Sequence, residues 1–83
     1  PSLTEERRKE YIKLLGGNVE ESRIRIRHIR EEILKKVQAA VKEKTAREDD
    51  VHRAKEQLQK VVDEFNGTLE GIAKKKESEL MSV

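Results

Sequence analysis

The chain has 83 residues, 43% of them charged and 2% aromatic, a balance that excludes a thick globular core and favours long helices or coiled coils. Lys and Arg number 19 against 17 Asp and Glu, so the net charge of +2 announces no polyanion partner, and any such partner must be met by a local patch. The absence of cysteine removes disulfides, thiol nucleophiles and thiolate metal sites, and no apolar run nears the roughly 20 residues needed to cross a bilayer.

The first element is expected to be one long helix. Ile12, Leu15, Val19, Ile26, Ile29, Ile33 and Ala40 recur in a 3-4-3-4 spacing, with Ser22 and Lys36 in the remaining slots. Thr4 is the expected N-cap, followed by Glu5 and Glu6, where the first turn's unpaired amides and the helix dipole favour negative charge. Ser2 with Glu5 has capping-box spacing and is the competing start. Gly16 and Gly17 cost such a helix about 1 kcal/mol each relative to alanine, but the apolar phase continues across them, so they predict a soft spot or bend rather than an end. The alternation Ile24-Arg25-Ile26-Arg27 resembles a strand taken alone, yet helix formers flank it and no second strand is available to pair with it.

Between Lys42 and Asp50 the apolar repeat stops, and Thr45 with Glu48 again has capping-box form, which predicts a hairpin turn. A second repeat then runs through Val51, Ala54, Leu58, Val61, Phe65, Leu69, Ile72 and Leu80. Asn66-Gly67 looks locally like a turn, but the repeat holds phase around it. The expected architecture is all-α: a helix over about 5–43, a turn over about 44–47 and a helix over about 48–81, forming a long antiparallel hairpin. At 1.5 Å per residue these rods measure about 60 and about 50 Å. Two rods sharing a narrow seam are marginal alone, so a third helix, a partner chain or a symmetric copy is expected to complete the bundle.

One stretch departs from the mixed charge of the rest. From Ser22 to Arg30 the chain holds Arg23, Arg25, Arg27 and Arg30 with His28 and no acid. On a helix, Arg23, Arg27 and Arg30 share one face beside the seam, and guanidinium forks in such a stripe match phosphate oxygens. Ion pairs between Glu20 and Arg23 and between Arg27 and Glu31 account for the same residues as a solvated face, and spacing alone leaves both readings open. Lys74, Lys75 and Lys76 are explained by the negative end of the second helix's dipole.

Catalytic chemistry finds no candidate. His28 and His52 stand apart from any carboxylate or histidine at ligand spacing, and no Ser or Cys is arranged for attack, so neither an enzyme nor a metal or other cofactor is expected. With one Tyr, one Phe and no Trp, base stacking cannot dominate a nucleic-acid contact; RNA, if it is the partner, is read by shape and backbone.

The opening Pro1-Ser2-Leu3-Thr4-Glu5-Glu6-Arg7-Arg8-Lys9-Glu10 resembles the P-x-L-T-E-E-R-R-K stretch of bacterial and organellar ribosome recycling factors. Ile26-Arg27-His28-Ile29-Arg30 is similar to that family's V-R-N-[IV]-R segment, Glu48-Asp49-Asp50 to its S-E-D-D/E, Gln59-Lys60 with Asp63 to its Q-K-[LV]-T-D, and Lys76 to Met81 to its K-E-x-E-[LI]-M. These matches span the chain in order. After Arg30 the family continues R-D-A-N where this chain has Glu31, Glu32, Ile33 and Leu34, and Arg47 stands where the family has a serine cap, which moves the expected cap to Thr45.

The resemblance implies an L-shaped, transfer-RNA-sized factor with a three-helix bundle and a smaller α/β domain inserted after the first helix. Residues 1–83 then correspond to the C-terminal helical part of the bundle, and a first residue of Pro rather than Met is expected of a processed product or excised piece. It also implies a non-enzymatic translation factor that binds large-subunit ribosomal RNA and, with elongation factor G engaged through the inserted domain, splits post-termination ribosomes. Arg27 and Arg30 match the family's arginines, so Arg23, Arg27 and Arg30 are the expected RNA contacts. The implied compartment is the bacterial cytoplasm, or alternatively a mitochondrial or plastid matrix, with no membrane role. The rival expectation is a structural coiled-coil hairpin, a protein–protein module that pairs with another helix or a second copy of itself.

Overall fold

The computed structural model describes residues 4–82. It contains two helices, α1 (Glu5–Lys42, 38 residues) and α2 (Glu48–Met81, 34 residues), folded into an antiparallel hairpin. The rod measures 63 × 16 × 13 Å, and its radius of gyration of 18.8 Å compares with about 12 Å for a compact domain of this length. Both helices run unbroken through their glycines, and the Ile24–Arg27 alternation lies within α1.

Thr4 caps α1. Its backbone is extended and its hydroxyl accepts from the Arg7 N–H at 3.2 Å, satisfying one of the orphan amides of the first turn. Ser2, the competing start, lies outside the described residues.

The turn is built differently from the expectation at Thr45. Lys44 adopts the left-handed conformation, φ 64°, and the chain closes α1 with a Schellman pair: the Thr45 N–H donates to the Ala40 carbonyl at 2.9 Å and the Lys44 N–H to Val41 at 3.0 Å. The Thr45 hydroxyl also donates to Ala40, at 3.1 Å, so Thr45 seals the end of α1 instead of opening α2. Arg47 is the N-cap of α2; its N–H donates to the Asp50 carboxylate at 2.8 Å. Arginine has no acceptor to return to the helix, so only this half of a capping box exists, and Glu48, Asp49 and Asp50 supply the favourable charge at the helix start.

The seam follows the expected positions at first and then leaves them. Ile12, Leu15, Val19, Ser22 and Ile26 face α2, but beyond Ile26 the inward positions are Arg30, Leu34, Val37 and Val41 together with the expected Ala40, while Ile29 is 50% exposed and Ile33 and Lys36 also lie outside. In α2, Val51, Ala54, Leu58, Leu69 and Leu80 face inward as expected, but Val62, Asn66 and Ala73 replace Val61, Phe65 and Ile72. An α-helix that is not supercoiled drifts by about 20° per heptad against a strict seven-residue repeat, so over about five turns the drift reaches about 50°, half the spacing between neighbouring residues, and the next residue along becomes the inward one.

The consequence is a thin core. Among the described residues only Val51 and Val62 are buried, at 7% and 5% exposure, and the chain leaves 6946 Å² accessible against about 5,100 Å² for a compact domain of its mass. The displaced apolar residues Ile29, Ile33, Val61, Phe65 and Ile72 remain on the surface, together with Tyr11 and Leu14.

Candidate nucleic-acid interface

The drift of the seam turns Arg30 toward α2 and leaves Arg23 half-buried beside it, with Arg27 one turn further out on the same side. At 3.6 residues per turn these three positions fall on one flank of α1, and Gln59, Asp63 and Asn66 fall on the matching flank of α2. Between them lies a cleft of about 370 Å³ lined by Glu20, Arg23, Arg27, Arg30, Gln59, Asp63 and Asn66 with Val62 at its floor. All three arginines named from the sequence therefore meet at one site.

Their partners differ from those that the spacing suggested. Glu20 reaches past Arg23 to Arg27 at 3.5 Å, and Glu31 pairs with Arg30 at 3.4 Å rather than with Arg27. Arg23 makes no ion pair or hydrogen bond among the described residues, whereas Arg25 turns away to Glu21 at 3.1 Å. Arg30, with 26% of its side chain exposed, crosses the seam and donates to Gln59 Oε1 at 3.4 Å, and Gln59 Nε2 donates to Asp63 Oδ1 at 2.9 Å. Asn66 Oδ1 is closed to solvent and has no partner among the described residues.

The cleft thus holds three guanidiniums against two carboxylates, and the ion pairs that its arginines make, Arg27 with Glu20 in the cleft and Arg30 with Glu31 outside it, are long. Exposed ion pairs contribute about 0–1 kcal/mol each, so an arriving phosphate displaces them at little cost. The α2 wall was missed by charge patterning because Gln59 and Asn66 are neutral and Asp63 has the wrong sign for an anion site. The only signal in the sequence was the Gln59-Lys60 and Asp63 match to a family segment.

The lysine run does not sit at the helix end. Helix α2 continues to Met81 with no basic residue in its last turn, and the dipole's influence fades within one turn. Lys74 pairs instead with Glu70 at 3.3 Å and Lys76 with Glu79 at 3.5 Å. Among the described residues no group of His, Asp and Glu is arranged to hold a metal ion, and none of their helices is long and apolar enough to cross a membrane.

The opposite flank has another character. Tyr11, Leu14, Leu15, Asn18, Lys76 and Leu80 line an open depression of about 260 Å³ there, and by helical phase Ile29, Ile33, Val61, Phe65 and Ile72 continue the same side along the rod.

Comparison with known proteins matches residues 1–81 to the family described as ribosome recycling factor. A ribosome-recycling factor of Psychrobacter arcticus is 45% identical over 83 residues, covering 100% of this chain and 45% of that protein. One from another Psychrobacter species is 40% identical over the same span, and one from Buchnera aphidicola is 43% identical over 81 residues, covering 98% of this chain and 44% of that protein. The chain therefore spans a little under half the length of the curated relatives that it matches. No solved structure matches it.

Proposed function

Since the chain belongs to the ribosome recycling factor family, we propose that it is the C-terminal helical part of that factor's bundle and that it serves, without catalysis of its own, in splitting post-termination ribosomes. Its task in this reading is to bind large-subunit ribosomal RNA through Arg23, Arg27 and Arg30. Engagement of elongation factor G falls to the inserted α/β domain that the family resemblance implies, and the bacterial relatives suggest action in the bacterial cytoplasm.

The observation that carries this reading is the convergence of three arginines on one cleft, on the flank of the hairpin that is not apolar. A chain with a net charge of only +2 brings three arginines together there. Three phosphate contacts predict a slope of log affinity against log salt of about −2.7, or roughly a 40-fold loss between 50 and 200 mM salt. Binding to isolated large ribosomal subunits across that range tests it. An affinity that ignores salt, or that survives Arg27→Glu combined with Arg30→Glu, overturns it.

The apolar flank supports a place for a third helix. The hairpin leaves roughly 1,800 Å² more surface than a compact domain of its mass, close to what a standard protein interface buries in total. The relatives are more than twice this chain's length, and a helix from elsewhere in such a protein is the occupant that we propose. The same flank is what favours the second reading, a structural hairpin that pairs with its own copy. Sedimentation equilibrium separates the two: a tight dimer that binds no ribosomal subunits supports the pairing module.

A further inference from the structure

The arginine cleft contains more than a phosphate site needs. Asp63 and Glu20 bring two carboxylates into it. Acceptors repel or ignore a bare phosphate, which carries only acceptors itself. They are useful if the ligand presents a hydrogen-bond donor next to its anion.

The hydrogen bonds show how one of these acceptors is held. Arg30 donates to Gln59 Oε1, and Gln59 Nε2 donates in turn to Asp63 Oδ1, so the Asp63 carboxylate is tethered through one amide to a guanidinium of the anion-binding wall. Both ends of the Gln59 amide are engaged in this relay. Asp63 Oδ2 has no partner among the described residues, and Asp63 itself is exposed on the rim. At about 370 Å³ the cleft sits at the small end of ligand-sized sites, suited to one nucleotide unit rather than a wider surface.

Resting on the ribosomal-RNA reading above, we infer that the α2 wall of this cleft, through the open Oδ2 of Asp63, recognises the ribose 2′-hydroxyl, so that the hairpin selects RNA over a backbone lacking that donor. The 2′-hydroxyl is a donor beside the phosphodiester, and it is the group by which a protein can tell RNA from DNA. The arginines supply affinity and the α2 acceptor supplies the discrimination. Arg23, unpaired among the described residues and beside Asn66 in the lining, is the guanidinium best placed to take the phosphate adjoining that ribose.

The test compares an RNA duplex with a 2′-fluoro duplex of the same sequence, which keeps A-form shape but has no hydroxyl donor, and with the corresponding DNA. The expected result is RNA binding about five-fold tighter than the 2′-fluoro duplex, the worth of one net hydrogen bond. In Asp63→Ala that ratio falls toward one. Removing a carboxylate raises affinity for every duplex, so the ratio is the readout and the salt slope stays as in the parent. Circular dichroism establishes that the variant, changed at an exposed position, remains helical; should it unfold, the parent's own ratio of RNA to 2′-fluoro RNA still decides. Equal binding of RNA and 2′-fluoro RNA by the parent, or a ratio that survives the substitution, overturns the inference while leaving salt-dependent RNA binding intact. Failure to bind any duplex or large subunits overturns both readings.

Discussion

One flank of the hairpin sets Arg23, Arg27 and Arg30 against Gln59, Asp63 and Asn66, while the other exposes Tyr11, Leu14, Ile29, Ile33, Val61, Phe65 and Ile72. The same two helices build both, and among the described residues the seam between them buries only Val51 and Val62. The two flanks differ because they answer different demands. An exposed apolar face of this extent is ordinarily covered by another protein element, whereas a guanidinium cleft stays open to a charged ligand. Helical phase keeps them apart, so substitutions on one flank are expected to leave the other undisturbed.

The sharpest way to break this contrast is charge reversal on the polar flank. Arg27→Glu with Arg30→Glu is expected to reduce affinity for large ribosomal subunits by at least about 100-fold at 50 mM salt and to flatten the salt slope by about two. Helicity should be nearly unchanged. A weaker effect, or one matched by Lys74→Glu with Lys76→Glu, would mean that the cleft is not the point of contact.

Between the flanks, Val62→Ala removes one of the two buried side chains and is expected to destabilise the hairpin by about 1–2 kcal/mol, read from thermal or urea unfolding by circular dichroism. It lowers stability and, because Val62 floors the arginine cleft, also enlarges that cleft. On the apolar side, Ile29→Lys with Phe65→Lys is expected to abolish concentration-dependent association in sedimentation equilibrium. It should change the stability of the single hairpin by no more than about 0.5 kcal/mol per site and leave the salt slope of RNA binding alone. Loss of that slope would couple the flanks and end the comparison.

The smallest effects sharpen it. Lys44→Gly relieves a left-handed backbone at a non-glycine residue and is expected to stabilise the hairpin by about 1 kcal/mol. Gly17→Ala adds a Cβ that meets nothing within 4 Å and replaces the poorer helix former, a gain of about 0.5–1 kcal/mol. Neither substitution lies in the arginine cleft, so subunit affinity in both is expected to match the parent chain.

Much of this molecule was legible because its information is local. Thr4 reads as a cap because a side-chain acceptor before acidic residues suits a helix start wherever the helix later packs, and the structure uses it so. The arginines read as one flank because their spacing alone puts them there. Thr45 misled because its three-residue spacing to Glu48 has capping-box form, while the outcome was decided by Lys44 turning left-handed, which aims Thr45 back at Ala40. No glycine marked that position. The α2 wall of the cleft was invisible for a related reason: nothing in the spacing of Gln59, Asp63 and Asn66 says which arginine they oppose.

By itself, then, the order of residues determined two long helices, their antiparallel return and a cation stripe beside the seam, since each follows from periodicity, capping and charge within a few turns. Only the tertiary structure decided which residues the helices bury. A strict heptad would hold Ile29, Ile33, Val61 and Phe65 at the seam, but two straight rods keep 3.6 residues per turn, and the contact line moves on to Arg30, Leu34, Val62 and Asn66. That small mismatch, accumulated over several turns, leaves one face apolar and uncovered and brings Arg30 within reach of Gln59 across the seam.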